Sequence, residues 1–381
     1  MDAMIKKFLP PPSPYEQLDE FRALAGSLPG GAVDLSIGTP CDPVPEVVRR
    51  AIVSETSLSS ARPYPSSVGS DDFLKAASGW LNRCLGVDIP ETSIGACIGT
   101  KEIVTGLPAV LKLRDPDKDT VLYPAVSYPS YSMGAQLANC RSVAVPVDKD
   151  WRIDLSRIDK KDIKRAICLW VNSPGNPAGA IEDLSEIADW GVANEVTILS
   201  DECYVEYTWA TSPKSVLQNS KEGVLAIHSL SKRSNLAGMR VGFYAGDAEI
   251  VSYLREVRKH QGFMLSGPAQ NAGIAALTDQ QHVDEQRRLY SGRLSKLITI
   301  FESLGIETTM PEGSFYLWIA ASGGEWRLVK KLAKNLGMVV TPGEFFGEGG
   351  KGYIRVAAVA TDDRIELLGQ RASLVKNLLS N

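Results

Sequence analysis

Ser229–Gly246 reads SLSKRSNLAGMRVGFYAG, with the apolar run Val224–Ile227 before it and a second apolar run, Val241–Ala245, inside its end. Short apolar runs bounded by turn residues read as buried strands of an α/β sheet. Lys232 then stands on a loop at the carboxyl end of a strand, where open α/β sheets place their ligands. A lone loop lysine is usually a solvated surface charge. This one is flanked by Ser229, Ser231 and Arg240, hydroxyl and guanidinium groups that together suit a phosphate ester. A lysine beside a phosphate site points to pyridoxal 5'-phosphate held as a Schiff base.

Working outward, strands and helices alternate. The patterns predict strands at Val33–Ile37, Ile94–Ile98, Thr120–Tyr123, Ser142–Val147, Ala166–Val171 and Thr197–Ser200. Helices are predicted over Val44–Ser54, from Ser70 to Gly86, from Gly99 to about Leu113, and over Tyr128–Ala138 and Leu184–Asn194. This alternation implies a mostly parallel central sheet covered by helices. Helical patterns dominate from Asp247 to Leu304. Short strands (Phe315–Ile319, Met338–Val340, Tyr353–Val356) and helices (Glu325–Leu336, Thr361–Leu379) then take over, which marks a smaller α+β domain. The expected fold class is α/β, and the expected divisions are residues 1–39 as an N-terminal arm and part of the small domain, a large domain at 40–275 and a small C-terminal domain at 276–381.

A chain of 381 residues is long enough for a large domain with a companion. The formal net charge of −4 argues against nucleic acid and anionic membrane surfaces as partners. No apolar run is long enough to span a bilayer, and the N-terminus lacks the apolar core of a secretory signal. Its proline cluster, Pro10–Pro14, reads as an extended arm. The six cysteines are scattered without a CxxC pair, which reads as buried free thiols in the cytoplasm. Three histidines at His228, His260 and His282 offer no metal spacing and leave acid–base work to another group, for which a lysine of lowered pKa is suited.

Further residues fit around Lys232. Asp201 ends a strand, where an isolated carboxylate is usually a helix cap; here it could keep a pyridine nitrogen protonated, so that the ring acts as an electron sink. Tyr204 and Asn176, the latter in the rigid turn NSPGNPAG, could donate to the ring's phenolic oxygen, although a core tyrosine and a plain turn would look the same. Gly99-Thr100-Lys101 opens a helix whose free N–H groups could bind phosphate. Tyr128 could stack on the ring. Arg355 interrupts an apolar strand, which is costly unless the charge is paired; a substrate carboxylate would pair it, and so would a structural ion pair.

Taken together and in this order, Gly38, Tyr64 with Gly69 beyond it, Gly99-Thr-Lys, Tyr128, Asn176-Pro-x-Gly, Asp201-x-x-Tyr204, Ser229-x-Ser-Lys232, Arg240 and Arg355 resemble the class I/II aminotransferases of PLP fold type I. The resemblance implies that Lys232 carries the cofactor and moves a proton, and that Arg355, Gly38 and Asn176 hold the substrate α-carboxylate. Ser229, Ser231, Arg240 and the Thr100 and Lys101 amides would hold the phosphate. It also implies a homodimer in which Tyr64 reaches the neighbouring subunit's phosphate, with amino acids and 2-oxo acids as substrates. Within the family, VDLSIGTPCDPVP, IGTKEIVTGLP and PGEFFGEGGKGYIRVA are similar to the actinobacterial type of N-succinyl-LL-diaminopimelate aminotransferase. On that likeness Lys101 becomes a candidate for the distal carboxylate; otherwise it is a solvated lysine on a first helical turn. Other amino-acid aminotransferases, for aspartate, alanine or aromatic substrates, share the motifs, and so does a C–S lyase of the same fold. A DNA-binding regulator of this fold needs an added domain, for which the Pro-rich N-terminus has no room.

Overall fold

The computed structural model describes residues 8–375 and 378. The strands are β1 (Val33–Asp34), β2 (Ile94–Ile98), β3 (Thr120–Pro124), β4 (Arg141–Val145), β5 (Ala166–Asn172), β6 (Thr197–Asp201), β7 (Val224–Ser229), β8 (Val241–Gly246), β9 (Tyr316–Ala320), β10 (Met338–Val339), β11 (Thr341–Pro342) and β12 (Tyr353–Ala357). One seven-stranded sheet runs in the order β2-β8-β7-β6-β5-β3-β4. Its neighbours are parallel except β8, which is antiparallel to both β2 and β7. This is the α/β, mostly parallel architecture expected from the alternation.

Burial on both faces explains the unbroken apolar runs. Along β7, Val224 and Ala226 join one apolar layer while Leu225 and Ile227 join the other, as the period of two requires. The first layer includes helix Asp71–Leu85, which Ser70 caps by accepting from the Phe73 amide at 3.3 Å. Helix Thr100–Arg114 contributes to the second. A third apolar cluster gathers Leu18, Phe21 and Val33 with helix Gln281–Ser303, β9, β12 and helices Glu325–Leu336 and Asp362–Leu374. In a separate small sheet, β12 lies between β11 and β9, antiparallel to both. No helix among the described residues is long and apolar enough to cross a membrane.

Several boundaries differ from expectation for local reasons. The strand predicted over Val33–Ile37 stops at Asp34, because the Ser36 carbonyl is taken by the Thr341 hydroxyl and by Arg355. The helix predicted over Val44–Ser54 is Glu46–Ile52, since Ser54 starts a new helix, Glu55–Ser60, by capping the Ser57 amide. The Tyr128–Ala138 helix begins at Ser130, after Pro129. The last helix spans Asp362–Leu374, and its expected end at Leu379 lies outside the described residues. Of the cysteines expected to be buried, Cys97 and Cys168 are; Cys84, Cys140 and Cys203 are half-buried and Cys41 is exposed.

Candidate active site

The carboxyl ends of β5, β6 and β7 and the start of helix Thr100–Arg114 open on a cavity of about 470 Å3. Gly38, Thr100, Lys101, Tyr128, Asn176, Asp201, Tyr204, Ser229, Ser231, Lys232, Arg240 and Arg355 all line it. Every site residue expected from sequence is therefore brought together except Tyr64, which is 95% exposed and away from this cavity.

Lys232 does not lie on an open loop. It sits in a single helical turn, Leu230–Arg233, that follows β7 directly. The Ser229 hydroxyl accepts from the Ser231 amide at 3.1 Å and Tyr207 donates to the Lys232 carbonyl at 2.9 Å, so both ends of the turn are tied. The Lys232 ammonium donates to the Gly38 carbonyl. Burial lowers its pKa to about 8; the Arg355 and Arg240 charges push the same way, against Cys203 and Asp201.

Asp201 is buried at the end of β6, with Tyr131 donating to its Oδ2 at 2.9 Å and the Cys203 amide to Oδ1 at 3.3 Å. Burial raises its pKa, although these donors and the Lys232 charge work in the other direction. Asn172 donates to the Asp201 carbonyl at 2.8 Å and accepts from the Asn176 amide at 2.7 Å, which fixes the turn that carries Asn176. The Asn176 side-chain oxygen accepts from Arg355 Nη1 at 2.8 Å, and Arg355 Nη2 donates to the Ser36 carbonyl at 2.6 Å. The Arg355 guanidinium lies over two rings, 4.3 Å from the Tyr316 centroid and 4.6 Å from that of Phe346. Burial opposes the Arg355 charge, but the phenols of Tyr15, Tyr316 and Tyr204 favour it and its pKa is raised.

This arrangement fits a phosphorylated pyridine. At Gly99 the backbone is left-handed (φ +68°), and a Cβ there would come within 2.3 Å of Arg240 Nη2; only glycine lets Arg240 lie against the helix start. Glu102, on the first helical turn, is engaged by Arg258 at 2.6 and 3.1 Å, so its charge is already matched when an anion approaches the amides. Thr100, Ser229, Ser231 and Arg240 line the same cavity and are the candidates for one anion cradle. A buried, partly compensated Asp201 carboxylate suits a cationic ring nitrogen, and Lys232 supplies an amine.

Tyr131, Tyr316, Cys203 and Tyr15 were not expected here. Tyr131 lies three residues after Tyr128, and the two rings meet edge-on with centroids 5.9 Å apart. Tyr316, Cys203 and Tyr15 line the cavity, and nothing in their local pattern separates them from core or arm residues.

A fold of this kind with a lysine, an anion cradle and a buried carboxylate defines a pyridoxal phosphate enzyme of fold type I. The family model "Aminotransferase class I and II" matches residues 31–371, and the chain belongs to that family. It is a pyridoxal phosphate-dependent aminotransferase, acting on amino acids and 2-oxo acids. It is 37% identical to the 4-dedimethylamino-4-oxo-anhydrotetracycline transaminase OxyQ of Streptomyces rimosus, over 95% of this chain and 98% of that protein. The LL-diaminopimelate aminotransferase of Aquifex aeolicus is 33% identical, over 97% of each chain. The structure of a probable N-succinyldiaminopimelate aminotransferase from Thermus thermophilus superposes with a TM-score of 0.85 at 28% identity, covering 95% of this chain and all of that one (100%).

Proposed function

We propose that this aminotransferase moves an amino group between N-succinyl-LL-2,6-diaminopimelate and 2-oxoglutarate. The observation that carries the proposal is charge. Once Arg240 is assigned to phosphate and Arg355 to the α-carboxylate, Lys101 is a further cation lining the same cavity, and both proposed substrates bear a distal carboxylate. Both the Aquifex and the Thermus relatives are named for a diaminopimelate substrate, which supports the reading.

In this reading Lys232 is the attachment point for the cofactor, and Ser229, Ser231, Arg240 and the Thr100 and Lys101 amides hold its phosphate. Bound pyridoxal phosphate supplies an electron sink for the pair left when the substrate Cα–H bond breaks. Asp201 holds the ring nitrogen in its cationic form, Tyr204 and Asn176 donate to the phenolic oxygen, and Tyr128 stacks on the ring. The Lys232 amine, with a pKa near 8, would take the proton from the substrate Cα and deliver it to the cofactor's C4′. Arg355 grips the α-carboxylate with Asn176 and the Gly38 backbone. The unit formed by residues 1–39 and 276–381 closes on the 40–275 unit and excludes water. Tyr64, exposed in one chain, reaches the phosphate of the partner in a cytoplasmic homodimer.

The test is a panel assay of the purified protein, scoring glutamate formed from 2-oxoglutarate. Lys101→Ala is expected to cut kcat/KM for the succinylated substrate about tenfold, the factor set by ~1.4 kcal/mol, while leaving kcat/KM for alanine, which has no distal carboxylate, unchanged. Equal losses on both substrates would remove Lys101 from distal-carboxylate recognition. The identity to OxyQ across nearly the whole chain favours a second reading, amino transfer to a bulky cyclic ketone. Faster turnover of such a ketone than of the diaminopimelate compound would select it. Pyruvate and ammonia released from cystathionine would instead select the lyase.

A further inference from the structure

We propose that Tyr316 is a positioning residue that ties the substrate-carboxylate grip to the cofactor's phenolic oxygen, its ring bracing Arg355 and its hydroxyl donating to Tyr204. The proposal rests on the roles given above to Lys232, Tyr204 and Arg355.

Tyr316 begins β9 and is fully enclosed, at 2% exposure. In the antiparallel pair, Trp318 stands opposite Arg355 and Tyr316 lies two residues before Trp318. It therefore shares a face with Arg355 on the diagonal, within reach of long side chains. The guanidinium lies over the ring, with 4.3 Å from Cζ to centroid. Phe346 is a second ring under the same guanidinium carbon at 4.6 Å, so Arg355 is held by two ring contacts and by its bonds to Asn176 and Ser36.

The Tyr316 hydroxyl lies 2.9 Å from that of Tyr204, with either able to donate. An anionic oxygen in the cavity draws the Tyr204 proton toward itself, and Tyr316 must then donate to the Tyr204 oxygen. A donor that itself accepts a hydrogen bond is strengthened. Gly38 is part of the same arrangement: a Cβ there would lie 2.0 Å from the Tyr316 oxygen. The absence of a side chain at Gly38 is what allows the phenol to reach Tyr204.

The experiment compares wild type, Tyr316→Phe and Tyr316→Leu as holoenzymes. One readout is a spectral titration of the lysine-bound chromophore and the other is a kcat–KM split with one amino acid. Lys232, Cys203, Asp201, Tyr204, Arg240 and Arg355 share the cavity and are unchanged in all three proteins. Tyr316→Phe keeps the brace and removes the donor. Weaker donation from Tyr204 leaves more negative charge on the phenolic oxygen, which holds the adjacent nitrogen's proton more tightly. The chromophore midpoint is expected to rise by roughly half a pKa unit, with KM within twofold of wild type. Tyr316→Leu is expected to raise KM at least about tenfold as Arg355 loses its brace. An unmoved midpoint in Tyr316→Phe overturns the hydroxyl role, and an unmoved KM in Tyr316→Leu overturns the brace. Because Tyr316→Phe is nearly isosteric, the proposal stays testable if the leucine variant fails to fold. A chromophore that survives Lys232→Ala refutes the site assignment itself, a result distinct from either Tyr316 outcome.

Discussion

Glu202 separates two cavity residues, Asp201 and Cys203, yet its own side chain is buried and does not line that cavity. Its Oε1 accepts from the Ser200 hydroxyl at 2.9 Å and the Val216 amide at 2.8 Å, and its Oε2 lies 3.5 Å from His228 Nε2. Burial raises the Glu202 pKa to about 7 and lowers that of His228 to about 3, so both are neutral near pH 6. The folded pKa of Glu202 exceeds its unfolded value. The stabilisation is therefore complete below about pH 4.5 and is lost as pH rises through about 7. A shift of this size corresponds to on the order of 3 kcal/mol. Glutamine mimics the neutral acid and cannot ionise. Glu202→Gln is expected to match wild type in Tm at pH 5 and to exceed it increasingly toward pH 8; parallel curves would show that Glu202 stays ionised. Residues of this kind were illegible beforehand. Lys232, Asp201 and Arg355 stand out because their chemistry conflicts with the apolar strands around them. Glu202, Tyr131 and Tyr316 acquire meaning only from partners distant in sequence.

At the scale of elements, the loop after Gly38 is held by a helix that follows it by more than two hundred residues. Arg293, in helix Gln281–Ser303, grips both oxygens of Asp42 at 2.6 and 2.7 Å, and Gln286 donates to Asp42 at 2.7 Å. Arg293 is 2% exposed, so removing Asp42 leaves a buried charge opposed only by Asp362, 3.8 Å away. Asp42→Ala is expected to lower stability by about 3 kcal/mol, read from the urea midpoint at unchanged m-value. A second change, Arg293→Met, should recover most of the loss, and additive losses would argue against a buried pair. Alternating strands and helices were readable because sheet and helix periods differ over whole elements. The positions where Ser54 restarts a helix or Ser36 ends a strand were not, since each depends on a single hydrogen bond. The reversed direction of β8 was equally hidden, because an apolar run reads alike in both directions.

For the whole molecule, the cavity is assembled from distant parts of the chain, from Ser13 to Arg355. A ligand that binds the folded chain and not the unfolded one stabilises it by mass action. Pyridoxal phosphate at one hundred times its Kd is expected to add about 2.7 kcal/mol and raise Tm by a few degrees. Lys232→Ala should forfeit most of that gain, and an equal gain in the variant would place the tight contacts elsewhere.

The antiparallel pairing of β7 with β8 carries a further consequence, for the order in which the site is built and lost. Ser231, Lys232 and Arg240 lie on the single connection between those strands, and Ser229 is the β7 residue that leads into it. One short loop closure delivers them together, whereas the Ser36–Arg355 contact joins residues 319 apart in sequence. Apart from Thr100, Lys101 and Asp201, the groups proposed to anchor the cofactor are therefore local in the chain, and those proposed to recognise the substrate carboxylate are not. In rising urea, carboxylate-inhibitor binding is expected to fail before the chromophore is released, leaving a window in which the protein is coloured and inert.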